Sequence, residues 1–405
     1  MTLDPLDQPR ISLILSMGEA LHRYGAPAHR LEDALNLLSA HLQTPARFFT
    51  VPTAIIGSFG SLEQAHTSMV RVQPGEMNLE KLSHLNALLL DIVDGKLGIE
   101  EARLKVREVV AGRPRYNNLT LIIAYTLCAA AAGLFFRGSP AEVAAALVMG
   151  MIVGMATVMG ARLHTLAHVM EPMVAFMASA MGVLAAFLLP GTSTYLMTLA
   201  AVFPLLPGLT LTTAIHELAS RHLVSGTARL AEAGMHLLSI GFGVALGSRA
   251  VVLFPSSPTA LKAMEWPISI SMVAVLVGST SFMILTRAPP RDAPWIWWTG
   301  AAAYFGARAS ALLFGPEMGA FLGALLVGIL SNIYARVFRR PSFVTLVPAI
   351  LLLVPGSMGF QSVFSMLERQ VTGAVDAAFS ASLSAVALVA GLVVANAVTT
   401  KKPLL

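Results

Sequence analysis

The chain has 405 residues, 56% of them hydrophobic and only 12% charged, with a mean hydropathy of +0.72. Soluble domains usually carry about 25% charged residues, so an ordinary soluble protein is excluded over most of the length. Residues 1–116 hold 12 Lys/Arg against 13 Asp/Glu while 117–405 hold 15 against 9, so the basic surplus belongs to the apolar part and argues against a nucleic-acid partner.

The first ten residues are polar and acidic, without the basic and apolar regions of a cleaved signal peptide. The first part is therefore expected to stay on the side where it is made. Helical apolar spacing runs over Ile11–Tyr24, stops at Gly25-Ala26-Pro27, and resumes over Ala28–Leu42. Phe48–Phe59 is β-rich apart from Pro52, and Ser68–Val72 alternates like a strand, which predicts a hairpin turning near Gly60-Ser61. Leu79–Val93 and Ile99–Val110 return to helical spacing, giving an ααββαα unit.

From Asn117 the apolar runs lengthen to about 20 residues, the length of a membrane span. Spans are predicted near 117–136, 141–160, 172–190, 194–216, 233–254, 267–286, 294–313, 317–336, 342–366 and 374–398. The fold class expected is an all-α polytopic membrane protein of ten transmembrane helices behind an α+β domain, divided at 1–115, 116–256 and 257–405. Gly150/Gly154 and Gly319/Gly323 are GxxxG pairs, which either allow close helix contact or reflect the ordinary frequency of glycine in spans. Cys128, the single cysteine, lies in an apolar run, so neither a disulfide nor a cysteine-based metal site is available.

Basic residues in short loops set orientation. With the first domain inside, one side collects Arg113, Arg115, Arg162, Arg221, Arg229, Arg287, Arg291, Arg336, Arg339, Arg340, Lys401 and Lys402; the other keeps Arg137, Arg249, Lys262 and Arg369. Both termini are expected in the cytoplasm, with the chain in the cell (inner) membrane.

Two spans carry Pro-Gly at their centres, Pro207-Gly208 and Pro355-Gly356, each in the fourth span of a five-span block. Ser225-Gly226 and Thr372-Gly373 follow at matching distances. Five spans end on the side opposite their start, so a duplicated block enters upside down, as in inverted-repeat transporters. Proline removes an N–H and glycine permits unwinding, which exposes backbone groups that lipid cannot satisfy. Such groups can hold a solute; a plain proline kink is the simpler alternative.

On these residues the sequence resembles the threonine/serine exporter family, along nearly its whole length. The resemblance rests on Gly18–Glu32, on Phe48–Thr53, on Leu79–Val93 followed by Ile99–Ala102, on Pro207-Gly208 with His216–Arg221, Ser225-Gly226 and Arg229, and on Arg339–Pro341, Val347-Pro348 and Leu353–Ser357. It implies a cytoplasmic amino-terminal domain, ten spans and proton-driven export of small hydroxy amino acids. The acidic position after the first Pro-Gly is Glu217 here, preceded by His216, where bacterial members often have Asp; this part looks closer to the fungal type.

For a zwitterionic amino acid, Pro207, Gly208, Pro355 and Gly356 would supply helix-start N–H groups and freed carbonyls. Thr210, Thr212, Thr213, Ser357 and Gln361 would meet a hydroxyl, unless they only bond back to the i−4 carbonyl. Candidates for proton coupling are His216 and Glu217, Asp376 at the start of the tenth span, and Arg308 in the seventh. An interfacial pair bonded to Arg221 is the alternative for the first two, and snorkelling for the others. Glu171 reads as a helix-start charge, His164 and His168 as loop histidines, and Trp295, Trp297 and Trp298 as an interface anchor. Glu19, His22, His29 and Glu32 sit on the first two helices without an HExxH or GxSxG pattern, which points to regulation or assembly.

The partners expected are thus a small amino acid, protons and the lipid bilayer, with no cofactor or metal and with a homo-oligomer left open. A membrane-embedded hydrolase using the first domain, or a passive pore or scaffold, are the alternatives to a transporter.

Overall fold

In the computed structural model, residues 8–161, 169–250, 264–353 and 356–399 are described, apart from Leu62, Gln64 and Pro74. Helices α1 (Gln8–Arg23) and α2 (Ala28–His41) form where the apolar spacing places them, and Gly25 at φ +103° makes the break between them. Leu13, Ile14, Met17 and Leu21 of α1 bury against Leu31, Leu35 and Leu38 of α2. The predicted hairpin is instead a three-stranded antiparallel sheet, β1 (Ala46–Val51), β2 (Ala54–Phe59) and β3 (His66–Arg71), in that order. Pro52 cannot donate to a ladder, and the chain reverses there, pairing Val51 with Ala54. The turn expected after Phe59 joins β2 to β3. Asn78 caps α3 (Leu79–Val93) by accepting from Lys81 N at 3.0 Å, and α4 (Ile99–Ala111) closes this layer.

Beyond Asn117, whose side chain caps the next helix, come α5 (Asn118–Phe135), α6 (Pro140–Gly160), α7 (Met170–Leu188), α8 (Thr194–Val202), α9 (Gly208–Ala219) and α10 (Leu223–Ala250). A second set follows: α11 (Ile268–Leu285), α12 (Ala293–Phe314), α13 (Pro316–Phe338), α14 (Phe343–Ile350), α15 (Gly356–Leu367) and α16 (Val371–Val398). Among the described residues seven helices are long and apolar enough to cross a membrane: α5, α6, α7, α10, α11, α13 and α16. The pair α8 and α9, bent by 59°, makes an eighth when taken as one span. The chain is therefore a mostly helical, multi-pass membrane protein. Of the ten spans expected, the two outside this set are α12, which is long but carries Arg308 and three tryptophans, and the α14–α15 stretch, cut into two short helices.

Two helices start earlier than their apolar runs. α10 begins at Leu223 and not near 233, because Thr227–Ala233 contains no breaker and its polar side chains are tolerated at a helix end. For the same reason α16 begins at Val371. Both GxxxG pairs lie at close helix contacts. A Cβ at Gly150 or Gly154 would fall 2.4 Å from Ala129 Cβ or 2.7 Å from Tyr125 Cβ of α5, and one at Gly319 would fall 2.7 Å from the Ala307 carbonyl of α12.

The amino-terminal layer is joined to the helical bundle by a continuous apolar core. The cluster around α1–α4 runs on into Met283 at the end of α11, Ala288, Ala293 and Ile296 at the start of α12, and Val347 of α14. Orphan N–H groups at the start of α3 meet orphan carbonyls past the end of α11, Leu79 N to Thr286 O at 3.0 Å and Glu80 N to Arg287 O at 3.1 Å. Tyr116 Oη donates to Ala288 O at 2.7 Å, and Arg287 pairs with Glu76.

Candidate functional site

Two broken helices define the middle of the bundle. After α8 a single 3-10 turn, Phe203–Leu205, leads to Leu206 and Pro207 in non-helical conformation before α9 starts at Gly208. Pro204 and Pro207 both lack the N–H that would continue the ladder. Gly208 N instead donates to Leu206 O at 2.8 Å. In the second broken stretch, α14 tightens at its end into i→i+3 bonds, Leu352 N to Ala349 O and Leu353 N to Ile350 O, and α15 starts afresh at Gly356. Pro355 lies outside the described residues. The two restarts touch: a Cβ at Gly356 would sit 3.5 Å from Gly208 Cα and 3.3 Å from Leu206 Cβ. Glycine at both positions lets the two helix starts, each with a positive dipole end, come together.

A cavity of ≈ 50 Å³ lies between α9, α14, α16 and the start of α2. Leu209, next to Gly208, and Ile350, the last residue of α14, line it together with Pro27 and with His29 and Arg30 of α2. Thr212, Thr213, His216 and Asn396 add polar groups to a largely apolar lining that includes Phe343, Leu346 and Leu392, and no Asp or Glu is among its lining residues. By the same measure about 10–15 Å³ holds one water, so the space accommodates a few waters with the helices as they stand. Thr212 Oγ1 donates to Gly208 O at 3.0 Å, the back-bond that any helical threonine can make, and it faces the cavity as well.

Glu217 does not line the cavity. It is fully buried, and three donors make four contacts to it: Ala28 N at 3.0 Å, Ser225 Oγ at 2.7 Å, and Arg229 Nε at 3.2 Å to each oxygen. Its partner is thus Arg229, on the first turns of α10, and not Arg221. Because Ala28 is the first residue of α2, the carboxylate also stabilises that helix start. His216 and Glu217 are neighbours in sequence with separate surroundings. The His216 ring meets the edge of His29 at 4.5 Å between centroids, and His222 lies 6.1 Å beyond. Glu32 accepts from Thr50 N at 2.9 Å and Thr50 Oγ1 at 2.8 Å, and lies 3.3 Å from His222 Nε2. His22 Nε2 bonds Val51 O at 2.8 Å, and burial pushes this imidazole below its ordinary pKa.

The remaining residues singled out from sequence are dispersed. Thr210 and Ser357 are half-buried near the breaks but outside the cavity lining, and Gln361 is exposed on α15. Asp376 is exposed on the second turn of α16, and Arg308 is exposed on α12 with Nη1 3.5 Å from Tyr304 Oη. Glu171 stands in the first turn of α7 and pairs with His236 Nδ1 at 2.7 Å. Trp297 and Trp298 are exposed, as an interface anchor requires, but Trp295 packs on Tyr334 and Phe338. His164 and His168 lie outside the described residues. Among the described residues no cluster of His, Cys, Asp or Glu could hold a metal ion.

Sequence reasoning missed Arg30 and Asn396 in the cavity and Arg229 beneath Glu217. Arg30 and Arg229 were both within stretches that carried the family resemblance, so the signal lay in motif membership without a stated role. Nothing local in the α16 sequence marks Asn396, which is placed by a 3.0 Å bond from Asn332 Nδ2 on α13. The ion pair of buried Asp292 with the partly exposed Arg340 was likewise unforeseen.

Comparison with known proteins adds a second line of argument. A family model described as "Putative threonine/serine exporter" matches residues 12–251, and one described as "Threonine/Serine exporter" matches residues 271–398. Similar curated proteins include an uncharacterized protein of Schizosaccharomyces pombe, 24% identical over 87% of this chain and 44% of its own length. Pheromone-regulated membrane protein 10 of Debaryomyces hansenii is 28% identical over 87% of this chain and 36% of its own length. Its namesake from Saccharomyces cerevisiae is 27% identical over 87% and 47%. The chain therefore spans less than half the length of these relatives. No solved structure matches. With one family model covering more than half of the chain and a second covering most of the rest, the chain belongs to the threonine/serine exporter family of membrane transporters.

Proposed function

We propose that the protein is a secondary transporter that exports small hydroxy amino acids, threonine or serine, across the cytoplasmic membrane in exchange for protons. The observation that carries this reading is the meeting of two broken helices at Gly208 and Gly356, with a cavity beside them that Thr212, Thr213, His216 and Asn396 help to line. Helix-start N–H groups offer donors to a carboxylate, freed carbonyls before each break accept from an ammonium, and Thr212 and Thr213 offer partners to a substrate hydroxyl. His216 is the proton-coupling group in this scheme, since its imidazole faces the cavity and can take up and release a proton. Glu217 positions α2 and Arg229 instead.

Ten crossings arranged as two inverted blocks of five, 116–256 and 257–405, complete the reading. Its support is a set of paired details. Arg137 after α5 and Arg287 after α11 both take a left-handed conformation that ends the helix, as do Arg221 after α9 and Arg369 after α15. Each is followed by the same bond back across the last turn, for example Gly138 N to Gly133 O and Ala288 N to Met283 O. An L residue in this conformation costs about 1 kcal/mol or more, so four arginines there at corresponding helix ends argue for common descent. Gly243 of α10 packs on the Pro172 carbonyl of α7, and Gly391 of α16 packs on the Phe321 carbonyl of α13. Positions 208 and 356, 221 and 369, and 243 and 391 all keep one spacing. In this arrangement residues 1–115 form an α+β domain at the cytoplasmic face and both termini are cytoplasmic.

The test is a solute panel in liposomes. Purified protein should release labelled threonine or serine faster when a pH gradient is imposed, and proton uncouplers should remove that acceleration. Absence of solute-specific flux across the amino-acid panel would overturn the reading.

A further inference from the structure

Two buried carboxylates, Glu142 and Asp292, have no task in the transport scheme. Glu142 is 6% exposed in the first turn of α6. One of its oxygens accepts from Ser139 N at 2.7 Å, closing a capping box on its own helix, and the other accepts from Ser193 N at 2.6 Å. Ser193 caps α8, the first half of the first broken helix. Asp292 is 2% exposed at the start of α12 and pairs with Arg340. Arg340 lies in the link that leads to Ser342 and Phe343, where α14, the first half of the second broken helix, begins. Each carboxylate thus fastens the outer end of a half-helix whose inner end is a break. They also hold matching places in sequence: Glu142 follows Arg137 and Asp292 follows Arg287 at one spacing, and both arginines are left-handed. Their ends of the bundle are opposite. Asp292 stands beside the amino-terminal layer, because Ala288 and Ala293 on either side of it belong to that layer's apolar core. Glu142 comes after α5, which starts next to the layer, where Tyr116 bonds Ala288 O, and runs 18 residues away from it, a helix about 27 Å long.

We propose that Glu142 and Asp292 are equivalent positioning residues of the two halves, which seat α8 and α14 at opposite ends of the bundle and so seal the solute pathway at one end each. This rests on the transport reading above, in which equivalent positions of an inverted repeat serve opposite faces. Both fastenings are made in this structure, and the cavity beside the breaks holds only a few waters, as a pathway sealed at both ends requires. The fastenings differ in chemistry. Glu142 is held by two backbone N–H groups, whereas Asp292 is held by a guanidinium through a charge-assisted bond, with Arg291 Nε 3.8 Å from its second oxygen. An amide in place of either carboxylate keeps the size. In Glu142→Gln it turns one of the two acceptor oxygens into a donor, and in Asp292→Asn it removes the charge that holds Arg340. Ser342 and Phe343 line the cavity, so the Asp292 fastening bears directly on its wall.

The experiment places a reporter thiol on the cavity lining of the full-length chain, Leu209→Cys, and times its reaction with a membrane-impermeant maleimide from each face of sealed vesicles. The native Cys128 is buried, and the chain without the reporter supplies the background. Asp292→Asn is expected to speed the reaction about fivefold or more from the face that carries the amino-terminal layer, and to leave the other face within about twofold. Glu142→Gln is expected to do the reverse. A general loosening of the fold would speed the reaction from both faces, and that result overturns the proposal. So do unchanged rates, an effect confined to one of the two variants, or an effect of both on the same face. Should either variant not fold, Arg340→Gln or Glu142→Asp replaces it under the same criteria. Threonine flux in the same vesicles separates the two readings. Sided labelling without flux of any amino acid retains the two seals and removes the exporter, whereas normal flux without sided labelling removes the seals alone.

Discussion

The carboxylate of Glu217 illustrates what a buried charge requires in this chain. It has no exposure, yet a backbone N–H, a hydroxyl and a guanidinium all donate to it. Removing one partner of such a set leaves the other charge uncompensated, typically at about 3–5 kcal/mol. Glu217→Ala should therefore lower unfolding stability in detergent by about that amount. Glu217→Gln, which keeps acceptor and shape, should cost clearly less and retain the pH dependence of flux. His216→Gln should instead flatten that pH dependence at near-normal stability, since its ring faces the cavity. The sequence offered His216 and Glu217 as a pair because they are adjacent; a helix turns by 100° per residue, and that rotation sends one side chain to the cavity and the other to α2 and α10.

His22 gives a pH effect of known sign. Burial lowers its pKa in the folded chain relative to the unfolded value of about 6.5. The folded state thus favours the neutral ring, and the associated stability is complete above about pH 6.5. It is lost as pH falls below that value toward the folded pKa, because the unfolded chain then binds the proton more readily. The melting temperature of the intact protein should drop on acidification from pH 7 to pH 5, and His22→Gln should reduce the slope. An unchanged slope in that variant would assign the acid sensitivity elsewhere.

Among the secondary-structure elements, the helices of the first layer were legible because apolar spacing runs through them and Gly25-Ala26-Pro27 breaks the first from the second. The sheet was less so. A run of β-forming residues does not reveal whether Pro52 sits at a strand edge or in a reversal, and only the pairing of Val51 with Ala54 decides. The breaks within the spans were legible from Pro-Gly alone, but their mutual contact was not, since it depends on tertiary approach of α9 and α15. That contact sets a graded expectation. Gly356→Ala adds a methyl 3.3 Å from Leu206 Cβ, a tight approach that a small shift relieves, so flux should stay within a few-fold of wild type. Gly356→Leu must push the two restarts apart and should abolish flux while the protein remains in the membrane. Equal flux in all three proteins would show that the contact is incidental.

For the whole molecule, hydropathy gave most of the bundle but overstated its uniformity. α12 pairs a tryptophan-rich start with Arg308 and is less apolar than its neighbours, and α14 and α15 are half-length helices. The apolar core joining the first layer to α11, α12 and α14 had no signature, because each contributing residue looks like an ordinary core position of its own element. A chain lacking residues 1–115 would expose Met283, Ile296 and Val347, and it should lose stability and flux together.

The account depends on two broken helices that meet midway along the bundle and must separate for a solute to pass. A disulfide spans Cβ atoms about 3.5–4.5 Å apart; Leu206 Cβ and a Cβ at Gly356 are 3.3 Å apart, so a shift of a few tenths of an ångström would bring cysteines there into bonding geometry. The native Cys128 is buried in α5 and does not compete. The decisive measurement is threonine flux through the Leu206→Cys, Gly356→Cys double variant in liposomes, before and after oxidation. The account predicts rapid cross-linking, flux that stops when the bond forms, and recovery on reduction. Failure to cross-link, or undiminished flux through the oxidised protein, would contradict it.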